Sequence, residues 1–292
     1  MGIVLGPNQY GKSESRVVRI YRDSSRHEIR DVNVTTTLQG DFAAAYRRGD
    51  QANVLPTDSQ KNTAFAYAKK KGIAEIERYA LDLAEHFVAD VEPVHSARVE
   101  VEEYSWQRIS VDGREHDHAW ARSGQEVRTT AVTVDGRGEG QRTEVVSGLK
   151  DLVLLKSTGS EFWGFLKDGY TTLPETRDRV LATSLVARWR YGGVDVQWDK
   201  AYEDVRRILL EQFATVHSLA LQQTLWEMGR RVLEQHPEIT EVSLSAPNKH
   251  HFAVDLSPFG LDNPNEVFHA ADRPYGLIEA TVTRDDDSRT RW

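Results

Sequence analysis

The sequence has no cysteine. This absence excludes a disulfide scaffold, zinc–thiolate and iron–sulfur sites, and a cysteine nucleophile. It is also typical of a protein that works in a reducing compartment.

Long apolar runs are absent as well. No stretch approaches the roughly 20 apolar residues that span a bilayer. The opening MGIVLGPNQYGK lacks the basic region and apolar run of a signal peptide, and the closing SRTRW is not the Ser-Lys-Leu peroxisomal signal. We therefore expect a soluble, cytoplasmic protein.

Positive charge is in deficit, since 37 lysines and arginines face 45 acidic residues and give a net charge of −8. A nucleic-acid binder that relies on an overall basic field is disfavoured, as is binding to an anionic membrane. An anionic substrate would have to be attracted by a few well-placed cations.

The common catalytic signatures are missing too. The sequence contains no Walker-type loop, no GxGxxG between a strand and a helix, no GxSxG and no HExxH. The usual nucleotide-binding, hydrolase and zincin classes are therefore disfavoured.

Hydrophobic periodicity predicts two helical regions. The first holds a short helix at 63–71, which ends at Gly72, and a longer one with its apolar face at 76–87. The second holds one helix at 202–216 and another at 225–232, with Ser218 as the candidate N-cap. Alternating stretches flank these regions and predict strands: 16–21, 29–38, 97–104, 127–134, 180–191, 241–246, 251–256 and 277–283.

The order of strands, two helices and strands occurs twice along the chain. We predict an α+β protein of two tandem units, residues 1–138 and 139–292, joined by a glycine-rich linker near 136–150. Antiparallel sheets with helices on one face are expected. Because such sheets have open edges, assembly with other subunits is expected too.

Two adjacent histidines stand in the segment APNKHHFAVDL. On a strand, neighbouring side chains point to opposite faces, so His250 and His251 cannot chelate one ion together. Asn248 and His250 share the face of an apolar row, at a place where that row can meet a cavity. His251 should face away. A core histidine with satisfied hydrogen bonds is the alternative for His250.

His116 and His118 are the better pair for a metal ion, because they can share a face and Glu115 adds an oxygen ligand. A third protein ligand at a fixed spacing is missing, which favours a solvated strand end or turn.

Arg179 lies at the end of an apolar strand row that includes Leu181, Leu185 and Trp189. A guanidinium there needs a partner, either a protein carboxylate or a planar anionic ligand.

Thr57, Asp58 or Ser59 is expected to cap the first helix, whose N-terminus alternatively favours an anion. Lys12 alone is uninformative.

Eight segments, in order along the chain, together resemble the urate oxidase (uricase) family. They are NQYGK (8–12), TDSQKNT (57–63), LKSTGSEFWGF (155–165), TTL (171–173), DRVLAT (178–183), HSLALQQT (217–224), PNKHHF (247–252) and DRPYGLIEAT (272–281). The resemblance covers essentially the whole chain. It implies two tunnelling-fold units per chain, and homotetramers whose sheets close into β-barrels. It also implies oxidation of urate by molecular oxygen and water to 5-hydroxyisourate and hydrogen peroxide, without metal or organic cofactor. The lack of a peroxisomal signal then suggests a bacterial-type enzyme.

The resemblance also implies a role for each matching residue. Lys12 and Thr57 would form a base dyad, with His250 as the third proton-transfer group. Phe162 would stack on the purine; Arg179 and Gln222 would hold its edge; Asp58 and Leu221 would offer backbone N–H groups. Asn248 would lie over the ring, where oxygen or water binds, and Leu173 and Ile278 would line the pocket. In the family, the Thr57-Asp58 pair belongs to a neighbouring subunit.

Two alternatives remain open. One is a tunnelling-fold protein that binds a purine or pterin without catalysis, although the joint presence of Lys12, Thr57 and His250 argues against it. The other is a metal-dependent enzyme that uses His116, His118 and a further ligand.

Overall fold

The computed structural model describes residues 2–285. Its first half contains β1 (Tyr10–Tyr21), β2 (Glu28–Gly40), α1 (Ala43–Arg48), α2 (Thr57–Lys70), α3 (Ile76–Asp90), β3 (Val94–Val111) and β4 (Arg114–Asp135). Its second half contains β5 (Arg142–Lys156), β6 (Leu181–Tyr191), α4 (Trp198–Thr215), α5 (Leu221–Gln235), β7 (Ile239–Ala253) and β8 (Phe268–Thr283). The α+β prediction is confirmed. Among the helices of residues 2–285, none combines the length and the apolar character that a membrane-spanning helix needs.

The order strand, strand, helix, helix, strand, strand occurs twice, apart from the short α1. The first set of elements ends with β4 at Asp135, and the second begins with β5 at Arg142. The boundary predicted at 138/139 lies in this interval. The two compact units of the chain have other boundaries than this repeat, because the unit boundaries fall inside β5 and β6. Unit 1 comprises Met1–Gly148 with Arg190–Asp199, and unit 2 comprises Leu149–Trp189 with Lys200–Trp292. The tandem repeat at 1–138 and 139–292 stays a prediction.

In unit 1, each strand pairs antiparallel with the next strand along the chain, which gives the order β1, β2, β3, β4 in the sheet. Helix α3 buries the face that the periodicity predicts, including Ile76, Leu83 and Phe87. Each such fully buried side chain contributes about 1.5–3 kcal/mol by leaving water. This packing supports the sheet that carries Lys12.

In unit 2, β7 pairs antiparallel with β8, and α5 packs close to β8. A Cβ at Gly229 of α5 would lie 2.5 Å from Cγ2 of Val282 in β8, so only glycine allows this approach. The close packing holds α5 against β8, the strand that carries Ile278.

Four sequence predictions about local structure are wrong. The linker near 136–150 is shorter, since β5 starts at Arg142 directly after the turn at Gly138–Gly140. The separate strands at 241–246 and 251–256 are one strand, β7, which ends at Ala253. Ser218 does not cap α5, whose N-cap is Ala220, and α2 starts at Thr57 with Pro56 as its N-cap. Neither helix has a side-chain cap, so first-turn amides stay available to a ligand.

Candidate active site

A pocket of about 600 Å³ lies in unit 2. Eight of the eleven residues that the sequence predicts as site residues line it: Phe162, Leu173, Arg179, Leu221, Gln222, Asn248, His250 and Ile278. They come from the segment between β5 and β6, from the first turn of α5, and from β7 and β8. The pocket therefore collects residues that are far apart in sequence.

Arg179 is a half-buried cation in this pocket. Its Nε donates a hydrogen bond to Ser160 Oγ at 3.3 Å, and its guanidinium carbon lies 5.1 Å from the Phe162 ring centroid. Within the described residues, its side chain has no carboxylate at ion-pair distance, and burial lowers the pKa of Arg179. A buried cation with so few partners favours an anionic ligand.

Phe162 is held by its backbone. The Phe162 amide donates to the Thr176 carbonyl at 2.8 Å, and the Thr176 amide donates to the Phe162 carbonyl at 2.9 Å. Phe165 stacks on it, with ring centroids 4.6 Å apart and an interplanar angle of 15°. The Phe162 ring is thus fixed as a flat apolar surface beside the Arg179 cation.

A buried group of small polar residues adjoins these side chains, and the sequence pattern did not predict this group as part of the site. Ser160, Ser218 and Thr224 are all fully buried. The carbonyl of Ser160 accepts from the Arg179 amide at 2.9 Å, and the carbonyl of Ser218 accepts from the Glu161 amide at 2.8 Å. Thr224 Oγ1 donates to Ser218 Oγ at 2.8 Å. These bonds tie the Arg179 segment, the Phe162 segment and α5 together.

The first turn of α5 supplies Leu221 and Gln222. Leu221 is buried and is the first residue of the helix, so its amide lies at the positive end of the helix dipole. Gln222 presents an exposed amide side chain to the pocket. Together they offer hydrogen-bond donors that suit a flat polar ligand.

The end of β7 carries Asn248 and His250. Asn248 pairs with Gly276 and His250 with Ala271, with a register shift between them. The rings of His250 and Phe252 lie 5.7 Å apart and stack, so these two residues share one face of β7. His251 stands between them on the other face, as the alternation predicts, although it also contributes to the pocket lining. The register shift interrupts the strict alternation between Asn248 and His250, whereas the pairing from His250 to Ala253 is regular. Burial first, and then the charge of Arg179, lower the pKa of His250 and so favour its neutral imidazole.

The other three predicted site residues, Lys12, Thr57 and Asp58, lie in unit 1 and are not part of this pocket's lining. Lys12 is on β1, and Thr57 and Asp58 begin α2. Asp58 accepts hydrogen bonds from Lys61 and Asn62. The bond from Lys61, with a smaller contribution from the charge of Lys12, lowers the pKa of Asp58. Lys12 therefore lies within electrostatic reach of the first turn of α2.

The histidine pair lies elsewhere in unit 1, on β4. The rings of His116 and His118 are 4.4 Å apart, and the His118 amide donates to His116 Nδ1 at 3.3 Å. Glu115 forms an ion pair with Arg26. Over residues 2–285, no group of three or more histidine or acidic side chains is arranged to hold a metal ion.

Comparison with known proteins agrees with the sequence resemblance. The uricase family model matches residues 8–133 and 145–279. The chain is 54% identical to the uricase of Arthrobacter globiformis over 97% of this chain and 91% of that protein. It is 36% identical to the uricase of Danio rerio, over 96% of this chain and 95% of that protein.

Solved structures show the same relationship. The crystal structure of uricase from Arthrobacter globiformis matches with a TM-score of 0.93 at 53% identity, covering 98% of this chain and 96% of that chain. A uricase from Bacillus fastidious matches with a TM-score of 0.85 at 27% identity, covering 96% and 94%. Family model, relatives and solved structures agree over nearly the full length, and the chain belongs to the uricase family.

Proposed function

We propose that the protein is a urate oxidase, which converts urate, oxygen and water to 5-hydroxyisourate and hydrogen peroxide in purine degradation. One observation is the main support for this proposal. The half-buried Arg179, without a carboxylate partner in the described range, lies with its guanidinium carbon 5.1 Å from the Phe162 ring centroid, in a pocket that also holds Asn248 and His250.

Urate fits the chemistry of this pocket, because it is flat and anionic at neutral pH. Arg179 can hold an anionic edge through two parallel N–H donors, and Phe162 offers a stacking surface. Gln222 would bond the same edge, and the Leu221 amide would donate to the ring. Leu173 and Ile278 add apolar walls. Charge, shape and donors thus all favour a small planar anion.

The protein's part in the reaction is to bind urate, to remove a proton and to position oxygen and water. Urate is electron-rich and can itself reduce oxygen once it is deprotonated, so we propose a reaction without metal or organic cofactor. Lys12 would take the proton through the Thr57 hydroxyl. Asn248 would hold oxygen or water over the ring, and the neutral His250 would exchange protons with that water.

We further propose that the active enzyme is a cytoplasmic homotetramer with active sites at its subunit interfaces. The Lys12, Thr57 and Asp58 set of one subunit would meet the pocket of another, and the sheets would close into β-barrels. The pocket supplies binding groups but no lysine among its lining residues, whereas the dyad belongs to the other compact unit.

The test is an assay of purified protein with urate and dissolved oxygen. We expect the ultraviolet absorbance of urate to fall while oxygen is consumed and hydrogen peroxide is released in equal amounts. Treatment with chelator and metal analysis belong to the same experiment. Urate binding without turnover would instead indicate a non-catalytic purine binder, and turnover that needs a stoichiometric metal would indicate a metal-dependent enzyme. His116→Ala/His118→Ala should leave the rate unchanged.

A further inference from the structure

Gln60 is a buried amide in the first turns of α2, with no exposed surface. A buried amide must find hydrogen-bond partners, since leaving one unpaired destabilises the fold. Its Oε1 accepts from the Thr36 hydroxyl at 2.7 Å, and Thr36 is itself only 3% exposed. Its Nε2 lies 3.5 Å from the carbonyl of Leu55, which also accepts from the Tyr10 hydroxyl at 3.0 Å. The start of α2 is thus bonded to β2 through one specific pair.

The same pair determines where Lys12 points. Thr36 of β2 is the direct cross-strand partner of Lys12 in β1. Directly opposed residues of an antiparallel pair project on the same face of the sheet. Because Thr36 reaches α2 from that face, Lys12 projects toward α2 as well. The influence of the Lys12 charge on Asp58 agrees with this placement.

The backbone on both sides of Lys12 is also specialised. A Cβ at Gly11 would lie 1.8 Å from the Thr36 carbonyl oxygen, so only glycine permits this approach of β1 to β2. Directly after Lys12 the register shifts, and Glu14 adopts a φ of 57° while its amide donates to Thr35 Oγ1 at 3.0 Å. Bulges of this kind redirect side chains next to functional sites.

Thr57 stands three residues before Gln60, so the two share one side of the first turn of α2. A helix that is anchored at Gln60 cannot rotate or slide without moving the Thr57 hydroxyl. Proton transfer needs donor and acceptor within about 2.6–3.2 Å, and a displacement of 1 Å costs roughly 100-fold in rate.

We propose that Thr36 and Gln60 are positioning residues, whose buried hydrogen bond fixes Thr57 relative to Lys12 for proton transfer. This inference rests on the proposed urate oxidase activity. It adds two residues that contact neither substrate nor oxygen and act through the dyad.

Two substitutions at Thr36 separate positioning from general stability. Thr36→Val keeps the shape and removes the hydroxyl, whereas Thr36→Ser keeps the hydroxyl and removes the methyl group. We expect Thr36→Val to lower kcat about 10- to 100-fold with little change in the KM for urate. Thr36→Ser should recover most of the lost kcat, whatever its thermal stability.

Tyr79→Phe is the matched control. Tyr79 is buried and its hydroxyl donates to the Ala64 carbonyl of α2 at 2.8 Å, away from the first turn. Removing this hydroxyl removes a buried hydrogen bond to the same helix and leaves the hydrogen bonds of Gln60 intact. We expect kcat to stay within about twofold of wild type, although the melting temperature falls.

Gln60→Met tests the other partner and replaces Thr36→Val if that variant does not fold. It should reproduce the loss of kcat, and Thr36→Val/Gln60→Met should be no slower than either single variant. Equal kcat losses in Thr36→Val and Tyr79→Phe, or losses that follow melting temperature across the series, would overturn the positioning role. Absence of urate oxidation by the wild-type protein would instead overturn the proposed function.

Discussion

The guanidinium carbon of Arg179 lies 5.1 Å from the centroid of the Phe162 ring. Neither residue belongs to a helix or strand of the sheet, and both are held by backbone hydrogen bonds, Phe162 to Thr176 and Arg179 to Ser160. A cation and an aromatic face are therefore fixed side by side before a ligand arrives. Such preorganisation reduces the ordering cost of binding.

Arg179→Gln should chiefly weaken urate binding. A hydrogen bond to a charged group contributes about 1.5–3 kcal/mol, so we expect the KM for urate to rise roughly 10- to 100-fold, with a smaller effect on kcat. Steady-state kinetics with urate at fixed oxygen measures this. Arg188→Gln is the control, because Arg188 is an exposed arginine of β6 outside this pocket. An unchanged KM in Arg179→Gln would contradict the anion-binding role.

Lys12→Ala and Thr57→Ala should each reduce kcat strongly, and the double variant should be little slower than the worse single variant. Residues on one proton path act as a unit, so removing the second member costs little once the first is gone. Double-mutant kinetics at saturating urate gives the coupling. Lys12→Ala/Thr63→Ala serves as the control, since the Thr63 hydroxyl bonds the Ser59 carbonyl within α2. Rate losses that simply multiply in Lys12→Ala/Thr57→Ala would argue against a shared path.

The pH dependence should reveal the environment of His250. Burial and the Arg179 charge lower its pKa below the ordinary value of about 6.5, so it takes up a proton only at more acidic pH. Arg179→Gln removes one of these causes. We therefore expect the pKa of His250 to rise in that variant, and the acidic limb of the kcat/KM profile to move to higher pH. A limb that moves to lower pH in Arg179→Gln, or moves equally in Arg188→Gln, would contradict the assignment.

The same lowered pKa affects stability. The unfolded chain binds a proton at His250 more readily than the folded chain does, so the free energy of unfolding falls as pH falls below about 6.5. This loss ends once the pH is below the lower, folded-state pKa. His250→Asn should remove this part of the pH dependence, as measured by denaturant unfolding at a series of pH values.

Sequence periodicity predicted those parts of the fold that depend on local pattern. The buried face of α3, including Leu83 and Phe87, and the alternation of buried Leu185 with exposed Arg188 on β6 are as predicted. The start of β5 escaped prediction because the glycines of the preceding turn and the polar RTE at 142–144 are typical of a linker. The register shift between Asn248 and His250 also escaped prediction, because such a shift leaves no hydrophobic signature.

Site geometry was less accessible to pattern reasoning. The segments that carry Phe162, Arg179 and Gln222 are joined by long-range backbone bonds, and no local spacing encodes these. Single residues in recognisable motifs could be named from the resemblance. The burial of Ser160 and Ser218 could not be predicted, because small polar residues outside helices and strands are usually found in turns and exposed loops.

Ser160→Ala tests whether this buried group supports the site. Ser160 is fully buried, and its hydroxyl accepts the hydrogen bond from Arg179 Nε at 3.3 Å. Without it the guanidinium loses its side-chain partner and more of its orientation must be fixed on binding. We expect the KM for urate to rise about 2- to 10-fold, corresponding to a hydrogen bond of roughly 0.5–1.5 kcal/mol, with kcat nearly unchanged because Lys12, Thr57 and His250 are untouched. Ser243→Ala is the matched control, since the Ser243 hydroxyl bonds Thr281 Oγ1 at 3.0 Å, outside the pocket lining. If Ser160→Ala instead lowered kcat with KM unchanged, the hydroxyl would act on the chemical step rather than on the orientation of Arg179.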